Sequence, residues 1–215
     1  MIVISLVTQK GGSGKTTLAL NYAVAALAKK GRVVILDMDA QGTAKKWYER
    51  RTAENPPLVE VTTKDLEKAI TGAKNQKFDW VIIDTPGRDD AAQAAAIRAA
   101  DFCVIPCRPS AADLEATPST VETIKRLGKS YAFVLTQTPP RSYRIKEAQT
   151  GLSYLGTVCP SPVVLRNAFQ DAQSMGLGVT EFEPDGRAAN DILVSWQWIV
   201  SKIRKAQYGK EKTNA

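Results

Sequence analysis

The chain contains no histidine. That absence excludes imidazole acid–base catalysis, Ser–His and Cys–His nucleophile pairs, and His-ligated metal centres together. Cysteine is scarce: Cys103, Cys107 and Cys159 are odd in number and show no CxxC spacing. The first two fall in "DFCVIPC", where an i, i+4 pair along a strand lies too far apart to bridge. All three are expected to be reduced thiols, mostly buried, in a cytosolic protein. No apolar run approaches the ~20 residues of a membrane-spanning helix. The opening "MIVISLV" is too short for a signal peptide and has no basic n-region. A soluble, cytoplasmic protein is therefore expected.

What is present is a 215-residue chain with 44% hydrophobic residues, enough for one sizeable core. Its formal charge of +7 suits contact with nucleic acid or anionic lipid without choosing between them. Short apolar runs at 2–7, 33–37, 58–61, 80–84, 102–106 and 131–135 alternate with helical patterns, and "PVVL" (162–165) is a candidate seventh. Runs apolar on both faces belong in a parallel sheet covered by helices on both sides. Helices are expected near 16–29, 43–52, 64–73, 90–99, 117–128, 144–155 and 190–207, with Thr117 and Pro118 as N-cap and first residue of the fifth. The pattern predicts an α/β fold: a doubly wound, mostly parallel sheet with helices on both faces, and ligands at the carboxyl ends of its strands. No repeat or linker divides the chain, so residues 1–207 are read as one domain and 208–215 as a polar, frayed tail.

Chemistry concentrates in three segments. Gly11, Gly12, Ser13 and Gly14 precede Lys15 and Thr16 between the first strand and the first helix. Small residues there let backbone N–H groups turn inward around phosphate oxygens, and the helix N-terminus faces the same anion. Lys15 is expected at the β- and γ-phosphates, and the Thr16 hydroxyl at Mg²⁺. The strict G-x-x-x-x-G-K-[ST] pattern fails at its first position, which is Gln9. Asp84 ends the apolar run "WVIID", the Walker B arrangement that serves the metal's water shell, and "TPGRDD" (85–90) reads as a γ-phosphate-sensing segment. In "LDMDAQGT" (36–43), Asp37 and Asp39 share a face if the strand continues; if it ends at Asp37, Asp39 enters the loop. One of them then supports Mg²⁺ and the other orients the attacking water. A purely structural acidic cluster before the next helix reads equally well.

Together these segments resemble the ParA/MinD family of P-loop ATPases with a deviant Walker A motif, K-G-G-x-G-K-T-T. Residues 10–17, "KGGSGKTT", match it throughout, and "IIDTPG" (82–87) matches the family's Walker B segment. "DMDAQ" (37–41) keeps the family's D-x-D-P-Q pattern except for Ala40 in place of proline. "VIPCRPSAADLEA" (104–116) is similar to the segment after strand five in short plasmid-partition ATPases of the ParF-like type. The resemblance implies an ATP- and Mg²⁺-dependent ATPase that dimerises with ATP. It places Lys10 across the dimer on the partner's phosphates, Asp39 at the attacking water, Asp37 and Asp84 at the metal shell, and Thr17 at the α-phosphate. It further implies non-specific binding to nucleoid DNA and a ParB-type adaptor that stimulates hydrolysis to position plasmid cargo.

Candidate DNA contacts are Arg166, Arg187, Lys202 and Arg204, with Lys205 and the basic loop 140–146 beside them. A positioning ATPase for another cargo is the first alternative. A MinD-like membrane-associated ATPase is the second, since residues 190–210 are amphipathic; packing of that helix on its own domain is preferred, so no membrane partner is expected. A P-loop metabolite kinase or ligase would share the loop but leave Lys10 and the Asp37–Asp39 pair without a role.

Overall fold

The computed structural model describes residues 1–213, with side chains as far as Tyr208. Six strands form one sheet: β1 (Ile2–Leu6), β2 (Val33–Asp37), β3 (Leu58–Glu60), β4 (Trp80–Asp84), β5 (Phe102–Cys107) and β6 (Ser130–Leu135). Their order is β3-β2-β4-β1-β5-β6, and every pairing is parallel. Between and after them lie α1 (Lys15–Ala28), α2 (Thr43–Arg50), α3 (Leu66–Asn75), α4 (Asp90–Ala99), α5 (Ala111–Arg126), α6 (Tyr143–Ser153), α7 (Asn167–Ser174), α8 (Val179–Phe182) and α9 (Arg187–Thr213).

The strand sequences explain the layering. β2, "VVILD", is buried at every position because helices cover both faces of the sheet. One face packs on α1, α2 and α7–α9 through Leu18, Trp47, Val179 and Ile192. The other divides into two clusters, one under α5 and α6, the other under α3 and α4. Cys103, Cys107 and Cys159 are buried free thiols whose pKa values burial pushes up to about 12, 11 and 11.

The last helix is part of this core. Ile192, Trp196, Ile199 and Ile203 are buried, and the Trp196 ring packs 5.3 Å from Tyr22 and 5.0 Å from Trp80. Each such side chain contributes roughly 1.5–3 kcal/mol on burial. Among the described residues no helix is long and apolar enough to cross a membrane.

Four local expectations differ from the structure. The fifth helix begins at Ala111 rather than Thr117: Ser110 caps it by accepting from Asp113 N, and exposed Pro118 sits inside it. The Thr117 hydroxyl donates to Asp113 O within the helix instead of capping it. "PVVL" is no strand. Pro160 and Pro162 supply no N–H, so this segment joins the end of β6 and the residues after it through scattered bonds: Val163 N to Leu135 O, Thr138 N to Val163 O and Leu165 N to Thr138 O. Helices α7 and α8 stand where none was expected. Finally, α9 runs from 187 to 213 rather than 190 to 207, taking in most of the polar tail; residues 214 and 215 lie outside the described residues.

Candidate nucleotide site

The loop after β1 leaves the carboxyl edge of the sheet and enters α1 through Gly14. Gly12 (φ 72°) and Gly14 (φ 94°) hold left-handed backbone, a conformation costly for any residue with a Cβ. The loop lines a cleft of about 820 Å³, walled by Gly11–Thr17, Asp39, Pro86, Gly87, Arg88 and Gln137. Lys15 is buried under the loop, its Nζ donating to Thr8 O at 3.3 Å and Lys10 O at 3.2 Å. Burial holds its pKa below the usual lysine value, while Asp84 and Asp39 act in the opposite direction.

The far end of the sheet braces the same loop. From the end of β6, the Thr136 hydroxyl donates to Ser13 O at 2.6 Å and Gln137 Nε2 to Gly12 O at 2.7 Å. From the end of β4, Gly87 comes so close that a side chain on it would begin 3.1 Å from Gly11 Cα and 3.5 Å from Lys15 Nζ. A Gly87→Ala variant is therefore expected to push the loop out of register and weaken nucleotide binding about tenfold, or ~1.4 kcal/mol, at nearly unchanged thermal stability. Titration with a fluorescent nucleotide checks this; unchanged affinity would show that the contact is slack.

The carboxylates are arranged by strand register. Asp37 and Asp84 are register partners at the ends of adjacent strands, and Leu6, the last residue of β1, pairs with Asp84 on its other side. Both are buried. Asp37 accepts Asp39 N through one oxygen, while its other oxygen and both oxygens of Asp84 have no hydrogen-bond partner among the described residues. Burial pushes Asp84 up to about 7; the nearby Thr16 hydroxyl and Lys15 oppose this, and the like charge of Asp37 adds to it. Burial likewise raises Asp37. Strand β2 ends at Asp37, so Asp39 enters the loop, where its carboxylate accepts Gln41 N and faces the cleft.

Buried carboxylates without partners are costly unless a cation comes to them. Among the described residues no group of three or more acidic, Cys or His side chains forms a metal cage. A cation here must therefore be shared with phosphate and water, as Mg²⁺ is. The residues fit ATP with Mg²⁺: loop amides and Lys15 for phosphate, Thr16 and Asp84 for the ion, Asp39 for a water. Bound Mg²⁺ supplies charge neutralisation at the phosphates.

A second cavity of about 240 Å³ opens beyond Thr17, lined by Leu18, Val163, Leu165, Arg166 and Phe169. It adjoins the first cleft at Gly14, Thr17 and Gln137 and has several apolar side chains on its walls. Sequence reasoning missed this wall and the Thr136–Gln137 brace. For Thr136 and Gln137 the signal was their position directly after β6, at the edge where such sheets bind ligands.

The four arginines and lysines read as DNA contacts do not form one patch. Arg166 lines the second cavity and pairs with Asp191 (Nε to Oδ2, 3.0 Å). Exposed Arg187 opens α9. Lys202 and Arg204 lie roughly 22–26 Å farther along the same helix axis, beside Ser130 and Trp80 at the amino ends of β6 and β4. There they share an edge with Lys29, Arg32, Lys125 and Arg126.

Residues 4–192 match the CobQ/CobB/MinD/ParA nucleotide-binding domain family. The chain is 33% identical over 197 residues to maintenance of carboxysome distribution protein A of Halothiobacillus neapolitanus, covering 87% of this chain and 91% of that protein. Its fold is similar to the cell division ATPase MinD of Pyrococcus furiosus (TM-score 0.78, 18% identity, 93% and 98% of the two chains). It is also similar to a putative plasmid partition protein of Borrelia burgdorferi bound to AMPPNP (TM-score 0.76, 17% identity, 94% and 99%). The chain belongs to the ParA/MinD family of P-loop ATPases, whose cofactors are ATP and Mg²⁺.

Proposed function

We propose that this protein is a Mg²⁺-dependent positioning ATPase, a single domain over residues 1–207 that closes as an ATP-bound homodimer on nucleoid DNA. A ParB-type adaptor then stimulates hydrolysis and release. The observation that carries this reading is Lys10. It precedes the phosphate loop, stands half-exposed at its rim and is absent from the walls of its own cleft. A lysine so placed has little to do for its own nucleotide and is free to reach another subunit's. Plasmid cargo is suggested by the resemblance of residues 104–116, and a carboxysome by the name of the 33% identical relative.

DNA is favoured over a lipid surface because the apolar side of α9 is spent in the core. Non-specific duplex binding needs only cations aimed at phosphates. The edge carrying Lys202 and Arg204 offers these; Arg166 is committed to Asp191.

DNA retention across a salt series, with ATP, ADP or no nucleotide and with a liposome arm, tests the reading. Retention is expected only with ATP and is expected to fall steeply with salt. The double variant Lys202→Glu/Arg204→Glu is expected to lose at least about tenfold in affinity and to lower the log–log salt slope by ~2, with ATP binding intact. Liposome binding without DNA retention would overturn the reading.

A further inference from the structure

The loop joining β5 to α5 carries a charged cluster that the nucleotide cleft does not use. Arg108 is the first residue after β5, Ser110 caps α5, and Asp113 lies in the first turn. The Asp113 side chain is only 2% exposed, and both of its oxygens are occupied. Oδ1 accepts from Arg108 Nε at 3.0 Å, and Oδ2 from the Ser110 hydroxyl at 2.5 Å. Burial opposes its ionisation, yet Arg108, Ser110 and the positive charge of nearby Lys10 hold its carboxyl below the usual range. One buried carboxylate thus serves as counter-ion to two cations at the rim of the phosphate loop.

The geometry of Arg108 is the informative part. It engages Asp113 through Nε alone, so its two terminal nitrogens have no hydrogen-bond partner among the described residues. One of them lies 3.8 Å from the point where a side chain on Gly12 would begin, beside the phosphate loop. Arg108 is nevertheless absent from the walls of its own cleft, as Lys10 is. A salt bridge serving only to cap α5 would be stronger with the guanidinium fork turned onto the carboxylate. Here neither terminal nitrogen hydrogen-bonds the acid that anchors the side chain.

We propose that Arg108 acts in trans beside Lys10. In the ATP-bound dimer its free guanidinium nitrogens contact the phosphates of the partner's nucleotide, and Asp113 and Ser110 are the residues that position it. Lys10 brings a compact point charge, and Arg108 a planar fork that matches two phosphate oxygens. This rests on the dimer reading above. Arg108 exchanges no proton and forms no bond; it stabilises charge that develops during transfer.

The full-length chain tests this by sedimentation with a slowly hydrolysed ATP analogue, by titration with fluorescent ADP, and by hydrolysis assays. Arg108→Ala is expected to raise the protein concentration needed for half-dimerisation about tenfold, and to lower hydrolysis about a hundredfold or more. Monomer ADP affinity is expected to stay within about twofold, because the contact is made only across the dimer. Arg108→Lys restores dimerisation in part. Asp113→Asn moves the dimer midpoint in the same direction without moving ADP affinity.

An equal mixture of Lys10→Ala and Arg108→Ala chains separates trans from cis action. With both residues acting in trans, every site of a mixed dimer lacks one cation and hydrolysis stays low. Were Arg108 to act on its own chain's nucleotide, one site in each mixed dimer would be complete, so recovered hydrolysis overturns the assignment. Normal dimerisation and hydrolysis by Arg108→Ala overturn it as well, while a wild-type chain that stays monomeric with ATP overturns the dimer reading on which it rests.

Discussion

Lys10→Ala is expected to abolish ATP hydrolysis, by ~10³-fold or more, while monomer nucleotide affinity stays close to wild type. The magnitude follows from removing one cation from a transition state that spreads negative charge over the phosphate oxygens; arginine fingers in other NTPases contribute on that order. The split between hydrolysis and affinity follows from position. Lys15 is buried beneath its own phosphate loop, held by Thr8 O and Lys10 O, whereas the Lys10 side chain takes no part in that cleft. Lys15→Ala is by contrast expected to lose nucleotide binding and hydrolysis together. Parallel ADP titration and phosphate release separate the two. If Lys10→Ala hydrolysed ATP at the wild-type rate, the lysine would be a solvated loop residue and the cross-dimer role would be wrong.

Asp84→Asn is expected to move stability and activity in opposite directions. In the nucleotide-free protein, Asp84 is fully buried, without a hydrogen-bond partner among the described residues, beside Asp37 in the next strand. Relieving a buried, unpaired charge of this kind is worth about 1–3 kcal/mol, or several degrees in Tm for a chain of this size. Hydrolysis is expected to fall at least ~10³-fold, because charge neutralisation at the phosphates is lost. The stability difference should depend on pH. With its folded pKa pushed up to about 7, Asp84 binds a proton more readily folded than unfolded. Its cost is therefore greatest above pH 7 and fades as pH falls toward the unfolded value near 4. Thermal melts of both proteins between pH 5 and pH 8, without nucleotide, measure this. A variant less stable than wild type at pH 8 would remove the argument that these carboxylates await a cation.

Much of the site was legible along the chain because its parts are contiguous. A glycine-rich loop between a strand and a helix, and an aspartate closing an apolar strand, are local patterns with local causes. The ambiguity at Asp37 and Asp39 was a matter of one residue, where β2 ends, and it was settled by pairing with β4 rather than by any property of "DMDAQ". The start of α5 was misplaced for a related reason. Thr117–Pro118 looks like a cap, yet Ser110, seven residues earlier, caps the helix and the proline is accommodated within it. Sequence alone does not rank two chemically sound caps; the packing of Val121 and Ile124 under the sheet does not require the later one.

Residue order alone was enough for the α/β class, the glycine-rich loop between strand and helix, the aspartate that closes β4 and the odd placement of Lys10, since each depends on neighbours within a few positions. The long-range features had to come from the folded chain. Arg108 lies 96 residues from Gly12, and Thr136 lies 123 from Ser13, yet both reach the phosphate loop because β5 and β6 end at the edge where β1 ends. The cations at 166 and 204 read together as DNA contacts, but Arg166 is held by Asp191 in the first turns of α9, whereas Arg204 lies more than three turns farther along that helix, beside Trp80. A parallel sheet gathers strand ends from distant segments onto one edge, while a long helix separates residues by length alone. No periodicity in the sequence encodes either distance.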